Sequence, residues 1–171
     1  MKPNTELIWD EQKLRTAFEN CADVQILKLR LGETPESEIS CVFAEGLCDS
    51  VQLGEVVLPE LENIARREAN LNSLSDGYKG SLPLLELPAK LSEESLSEYV
   101  FQGDLIVLVI STGRMFKLNI CKRPERSPNE SSTEISIKGP KDGFTEDLVT
   151  NVALIRKRVR SSSLKVETYT L

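Results

Sequence analysis

The sequence contains no histidine, and this absence removes several classes of catalytic and metal site. Serine–histidine–acid triads, cysteine–histidine pairs and histidine-ligated metals all need an imidazole. The cysteines, Cys21, Cys41, Cys48 and Cys121, include no pair at the close spacing of zinc ligands. The glycine-containing turn at 111–114 leads into a predicted strand, whereas a phosphate-binding loop must open a helix. We therefore expect a protein that is not an enzyme and that holds neither a cofactor nor a metal.

Long hydrophobic runs and aromatic residues are also scarce. The longest wholly aliphatic run is Leu105–Ile110, far short of the roughly 20 apolar residues that a membrane-spanning helix needs. The N-terminus carries no apolar stretch of signal-peptide length. We therefore expect reduced thiols in a cytosolic compartment, and membrane association only through a region that this sequence does not contain. Aromatic residues make up 5% of the chain, so its core must consist mainly of Leu, Ile and Val.

The chain of 171 residues is long enough for one domain with a sizeable core. Several predicted strands separated by helices indicate an α/β fold, with a mixed β-sheet flanked by helices and an antiparallel hairpin. We expect residues 1–121 to form an N-terminal α/β region and residues 122–133 a polar linker. Residues 134–171 then form a strand–turn–helix–strand unit that packs on the same domain.

Capping residues that precede helical apolar patterns predict the helices. They cover residues 10–20, 49–68 with a break near Pro59, 93–102 and 145–160. Apolar runs predict the strands, at residues 24–31, 39–44, 104–110, 115–120, 134–137 and 164–171. Residues 70–88 are expected to be irregular. In the last helix we expect Thr145 as the N-cap and a buried stripe of Leu148, Val152, Ile155 and Val159.

Charge is divided unevenly between the two parts of the chain. Residues 1–100 carry 9 Lys and Arg against 19 Asp and Glu, a net charge of −10. Residues 101–171 carry 12 against 8, a net charge of +4. This asymmetry suits stacking against an oppositely charged neighbour, but it is also what two solvated faces of different sign would give.

A glycine-rich turn before the last helix is the strongest candidate for a binding segment. Free amides at a helix start, flanked by two lysines, could hold an anion or the carboxylate of an amino acid. The alternative is a structural turn and cap, since acidic residues already occupy the helix start. The candidate binding residues, for a ligand or a partner, are Lys138, Gly139, Lys141, Asp142, Gly143, Thr145, Glu146, Asn151, Arg156 and Arg158.

The basic run at residues 156–160 ends the last helix. Positive charge there complements the helix dipole and is solvated, or it contacts another subunit or lipid headgroups. No aromatic residues are interleaved with the basic ones, so we expect no binding of nucleic acid.

The sequence IKGPKDGFTEDLVTNVALIRKR, at residues 137–158, resembles the signature of the GerA family of spore germination receptors. In that family a Gly-Pro-basic-acidic-Gly-Phe-x-Glu turn leads into an Asn-x-x-Leu-Ile-Arg-basic-Arg helix. Weaker similarities are EGLCD at residues 45–49 and GDLIVL at residues 103–108. The resemblance is collinear over about residues 15–171.

The resemblance implies a part in nutrient-triggered germination of endospores. It implies the N-terminal soluble portion of an A subunit, assembled with B- and C-type subunits. Copies of the same chain are a further expected partner. The full-length protein would sit in the inner spore membrane, with this portion on the cytoplasmic, spore-core side. The implied function is that of a regulatory and assembly domain. The alternative is a domain that binds the germinant, a small nutrient such as an amino acid or a sugar.

Overall fold

A computed structural model describes residues 7–32, 37–68, 82–122 and 145–169 of the chain. The strands are β1 (Leu7–Ile8), β2 (Val24–Arg30), β3 (Glu38–Ala44), β4 (Leu85–Glu86), β5 (Lys90–Leu91), β6 (Asp104–Val109) and β7 (Arg114–Asn119). The helices are α1 (Glu11–Ala17), α2 (Ser50–Gln52), α3 (Leu58–Glu68), α4 (Glu93–Gln102) and α5 (Leu148–Arg158), with a π-helical segment, Leu53–Val57, between α2 and α3.

The centre of the fold is a five-stranded sheet in the order β2-β3-β6-β7-β4. Two hairpins, β2–β3 and β6–β7, meet where β3 pairs with β6. Strands β1 and β5 form a separate two-stranded ladder. The α/β class and the antiparallel hairpin predicted from the sequence are confirmed. A mixed sheet was expected, but all the pairings between the named strands of this sheet are antiparallel. Among the described residues, parallel pairing occurs at an isolated bridge between Cys21 and Val166.

Both faces of the sheet are covered. On β6, Leu105 and Val107 belong to the core cluster that includes α3, while Ile106 and Leu108 belong to the cluster that includes α1 and α4. Side chains alternate across a strand, so a strand buried on both faces needs a continuous apolar sequence. The aliphatic run at residues 105–110 meets that need, and β6 is buried throughout, as the sequence predicts.

Helix α4 has the bounds that the sequence predicts, because its capping signals are local. The Ser92 hydroxyl accepts a hydrogen bond from the Ser95 amide at 3.2 Å. At the other end Gly103 adopts φ +92°, the left-handed conformation that ends helices. The strand β6 starts at the next residue.

The helical stretch predicted for residues 49–68 is interrupted, as expected, near Pro59. The Asp49 carboxylate caps its start by accepting hydrogen bonds from the Val51 and Gln52 amides. Because Pro59 has no amide proton, the preceding turn cannot complete a regular α-helical ladder. The backbone there widens into the π-helical segment, in which the amide of Leu58 bonds the carbonyl of Leu53.

Several sequence-based bounds need correction. Strand β4 lies in the stretch 70–88 that was expected to be irregular, and it pairs with β7 over only two residues. The strand predicted for 164–171 is irregular over its described part, 164–169, apart from the bridge at Val166. The predicted strand at 134–137 and nearly all of the predicted linker lie outside the described residues. Among the described helices, none combines the length and the apolar character needed to cross a membrane.

Candidate functional site

Helix α5 carries the part of the candidate site that the structure describes, and it starts at a different residue from the one predicted. Asp147, rather than Thr145, is the N-cap: its carboxylate accepts hydrogen bonds from the amides of Val149 and Thr150, at 3.2 and 3.1 Å. The Thr150 hydroxyl also bonds this carboxylate. The bond from the Thr150 hydroxyl has the largest effect in lowering the pKa of the Asp147 carboxyl, and the bonds from the two amides lower it further.

Thr145 and Asn151, two of the predicted site residues, bind each other. The Asn151 side chain accepts a hydrogen bond from the Thr145 amide and donates one to the Thr145 carbonyl, both at 2.7 Å. The Thr145 hydroxyl contacts the same amide oxygen at 3.2 Å. This closed pair fixes the direction in which the chain enters α5. The asparagine of the signature therefore holds Thr145 in place before the helix.

Arg156, predicted as an exposed contact residue, is fully buried in the structure. Its guanidinium donates to both carboxylate oxygens of Asp23, at 2.6 and 2.8 Å, and to the carbonyl of Ser161 at 2.7 Å. It also lies 4.0 Å from the centre of the Phe101 ring. Burial opposes the charge, but the hydrogen bonds and the charge of Asp23 outweigh it and raise the pKa of Arg156. The residue therefore anchors α5 to the rest of the fold.

The apolar stripe predicted to be buried on α5 points largely outward. Leu148, Ile155 and Val159 are 65%, 39% and 44% exposed, and Val152 is half-buried. The residues of α5 that are buried are Ala153 and Arg156. The sequence-based orientation was wrong because an inward-facing arginine breaks the simple division between an apolar buried face and a polar exposed one.

A glycine on the strand-to-helix turn after β3 lets α5 approach closely. A Cβ atom at Gly46 would lie 2.9 Å from Cγ1 of Val149 and 3.1 Å from Cβ of Ala153. Gly46 also has φ +74°, a backbone conformation that residues with a side chain rarely adopt. The EGLCD motif at residues 45–49 and the signature helix are thus in direct contact.

The remaining predicted site residues fall into two groups. Glu146 and Arg158 are exposed, on either end of α5. The residues of the glycine-rich turn, Lys138, Gly139, Lys141, Asp142 and Gly143, lie outside the described residues. The part of the site that can be described is therefore the outer face of α5, which we define as the exposed side chains of Leu148, Ile155 and Val159.

A cleft of about 210 Å³ lies beside the N-terminal half of α5, and sequence reasoning did not find it. Its acidic groups are Asp23, Glu45 and Glu167, and its apolar wall includes Leu148 and Val152. The segment after α5 closes one side of the cleft. Its Val166 carbonyl accepts a hydrogen bond from the Ala22 amide, and its Val166 amide donates one to the Asn20 carbonyl, both at 2.9 Å. The cleft joins residues far apart in the sequence, so no local pattern announces it. In the described ranges no group of three or more Cys, Asp or Glu residues could hold a metal ion.

Comparison with solved structures finds the same fold in a germination protein. The chain superimposes on the N-terminal domain of the A subunit of the Bacillus megaterium spore germinant receptor GerK3 with a TM-score of 0.62. The match covers 91% of this chain and 55% of that one, at 17% sequence identity. At this identity the similarity shows a common fold.

Comparison of sequences gives closer matches. Spore germination protein XA of Bacillus anthracis is 34% identical over 172 residues, which cover 99% of this chain and 34% of that protein. Stage V sporulation protein AF of Bacillus subtilis is 29% identical over 155 residues, covering 91% of this chain and 31% of that protein. The chain thus spans about a third of the length of these relatives. The family model described as Bacillus/Clostridium GerA spore germination protein matches residues 12–171, so the chain belongs to the GerA family.

Proposed function

We propose that this chain is the N-terminal portion of a germinant receptor A subunit and acts in spore germination as a regulatory and assembly domain. Its part is to dock another subunit of the receptor, of the B or C type or a further A subunit, through the outer face of α5. The full-length protein resides in the inner spore membrane, anchored by a region outside this sequence, with this portion on the spore-core side. No catalytic step is needed for such a part.

The outward apolar stripe of α5 is the observation that carries this proposal. Leu148, Ile155 and Val159 expose aliphatic surface on one side of a helix whose orientation is fixed by the buried Arg156. Exposing such a stripe to water is unfavourable, and contiguous exposed apolar surface commonly marks a protein contact. The helix cannot rotate to bury the stripe without pulling a charged guanidinium away from its carboxylate partner.

Charge at the end of α5 indicates what kind of surface would cover it. Lys157 and Arg158 are exposed in the last turn of α5, and Arg160 is exposed just beyond it. A partner surface that is apolar at its centre and acidic at its rim would complement this arrangement, because interfaces commonly have an apolar core and a polar edge. The curated relatives are about three times as long as this chain, and they are named as germination and sporulation proteins, consistent with a subunit of a larger assembly.

A germination assay tests the proposal in the intact receptor. The full-length subunit with Ile155→Glu should assemble poorly and should slow nutrient-triggered germination at least tenfold, because a carboxylate would be buried against an apolar partner. The matched control is Val56→Glu, which changes an even more exposed aliphatic side chain, 52% against 39% for Ile155, on the π-helical segment. Normal germination with Ile155→Glu would contradict the proposal, provided that the variant subunit accumulates normally.

A second candidate function is the binding of a small nutrient in the cleft beside α5. The observation that favours it is the set of three carboxylates, Asp23, Glu45 and Glu167, beside an apolar wall. This combination suits the ammonium group and side chain of an apolar amino acid, although Asp23 already pairs with Arg156. An NMR titration with amino acids and sugars would show saturable shifts at Glu45 and Val152 if the cleft binds a nutrient. The absence of shifts at tens of millimolar would leave docking as the function.

A further inference from the structure

Two cysteines, one of them in the EGLCD motif, face each other across the end of the sheet. Cys48 ends the turn before α2, and Cys121 follows β7, and the two form an isolated antiparallel bridge. The bonds that flank the pair run from the Asp49 amide to the Ile120 carbonyl and from the Lys122 amide to the Leu47 carbonyl, both at 2.8 Å. The cysteines themselves are therefore a non-hydrogen-bonded pair, the type in which opposed side chains come closest.

Gly103 creates the space that both sulfur atoms share. The Cys48 thiol donates to the Gly103 carbonyl, with the sulfur 3.3 Å from the oxygen. A Cβ atom at Gly103 would lie 2.9 Å from both Cβ and Sγ of Cys121. The two thiols thus approach one residue that has no side chain to separate them.

The two thiols differ in their access to solvent. Cys121 is exposed and adjoins Lys122, whereas Cys48 is buried in the core cluster beneath the sheet. Burial raises the pKa of Cys48 to about 12. An external reagent would therefore meet Cys121 first, and Cys48 would react only with a sulfur atom already placed against it.

We propose that Cys48 and Cys121 form a redox pair that closes a reversible cross-strand disulfide when the protein meets a low-molecular-weight disulfide. The Cα atoms of directly opposed residues are separated by a distance that a disulfide can bridge. The bond would join the start of α2 to the end of β7. It would thereby fix where the chain leaves the sheet on its way to the signature segment.

The chemistry balances in two exchange steps. The Cys121 thiolate attacks one sulfur of the small disulfide, forms a mixed disulfide and releases one small thiolate, which takes up the proton lost by Cys121. Cys48 then loses its proton and attacks Sγ of Cys121, forming the protein disulfide and expelling the second small thiol. Two protein thiols are oxidised, and one disulfide is reduced to two thiols.

Equilibration in glutathione buffers tests the proposal on the purified chain. After alkylation of the remaining thiols, peptide mapping should show a bond between Cys48 and Cys121 in the monomer, appearing in one transition as the oxidised fraction rises. The cross-linked form should melt roughly 5 °C higher or more, because the bond constrains a long loop in the unfolded chain.

Two variants make the result decisive. Cys48→Ser should leave glutathione attached to Cys121 and form no bond within the chain. The Cys21→Ser variant should form the Cys48–Cys121 bond as the parent does. The serine hydroxyl can donate to the same carbonyls that the Cys21 thiol contacts, so the fold should be retained. Unmodified Cys121, a stable glutathione adduct on it in the parent chain, or only a bond between two chains through Cys121 would each overturn the proposal.

Discussion

Arg156 and Asp23 are separated by 133 residues in the sequence and form a buried two-point ion pair, with donor–acceptor distances of 2.6 and 2.8 Å. The pair connects the signature helix to the turn before β2. It also sets the rotation of α5 about its own axis, because the arginine can reach the carboxylate from only one side of the helix. The outward position of Leu148, Ile155 and Val159 follows from this pairing.

Breaking the buried pair should destabilise the fold strongly. Asp23→Asn should lower the free energy of unfolding by about 3 kcal/mol, because it leaves a buried guanidinium without an anionic partner. Urea denaturation of the purified chain measures the change. The control is Arg15→Gln, which removes the charge of the exposed arginine from the Arg15–Glu11 ion pair on α1. It should lower the free energy of unfolding by less than about 1 kcal/mol. Equal losses in the two variants would show that the pair does not hold α5.

The close approach of α5 to Gly46 gives a second test. Gly46→Ala should cost about 1–3 kcal/mol, since the new methyl group would meet Val149 and Ala153 in a backbone conformation unfavourable to alanine. The matched control is Gly54→Ala in the π-helical segment, where an added Cβ meets nothing within 4 Å. That substitution should be neutral or stabilise the protein by up to about 1 kcal/mol. Thermal or urea unfolding of both variants decides between these outcomes.

The outward orientation of the stripe on α5 can be measured by truncation. Ile155→Ala should change the free energy of unfolding by less than about 1 kcal/mol, because the side chain is 39% exposed. Ile64→Ala on α3 removes a side chain that is 1% exposed and should cost about 2–5 kcal/mol. If Ile155→Ala proved as costly as Ile64→Ala, the stripe would be buried and the docking surface would not exist.

The edge strand β4 is held to β7 by a bidentate ion pair that predicts a pH effect. Arg114 donates to both carboxylate oxygens of Glu86, at 2.8 and 3.0 Å, and these bonds lower the pKa of Glu86 from its ordinary value of 4.5. A carboxyl group whose pKa is lower in the folded than in the unfolded state stabilises the fold at pH values above its unfolded pKa. This stabilisation is lost as the pH falls through the folded-state pKa.

The difference in Tm between the parent chain and Glu86→Gln should therefore be present at neutral pH and shrink on acidification below pH 4.5. A difference that stayed constant down to pH 3 would contradict this account of the strand. Because Glu86 is substantially exposed, the effect should be small and should weaken with added salt.

The parts of the fold that the sequence predicted well depend on local signals. Helix α4 lies between Ser92 and Gly103, which act on their immediate neighbours, and β6 is one apolar run. Strand β4 was missed because it is only two residues long and is held by contacts with β7. One of these contacts joins Glu86 to Arg114, 28 residues further along the chain. Short edge strands carry little pattern of their own.

The candidate site was less predictable, for a physical reason. A helical periodicity shows which residues share a face, but it does not show which face turns inward when a charged residue has a buried partner. Asp23 was not recognisable as that partner from its position before β2. The cleft beside α5 and the Cys48–Cys121 bridge likewise join residues that only the folded chain brings together.

The docking claim is tested most directly by photo-crosslinking in the intact receptor. A photoreactive amino acid is placed at position 155 of the full-length subunit, and at position 56 as a control that is more exposed. We predict a cross-link from position 155 to another receptor subunit in spore membranes, and none of comparable yield from position 56. A cross-link to no receptor subunit, or equal yields from the two positions, would contradict the account.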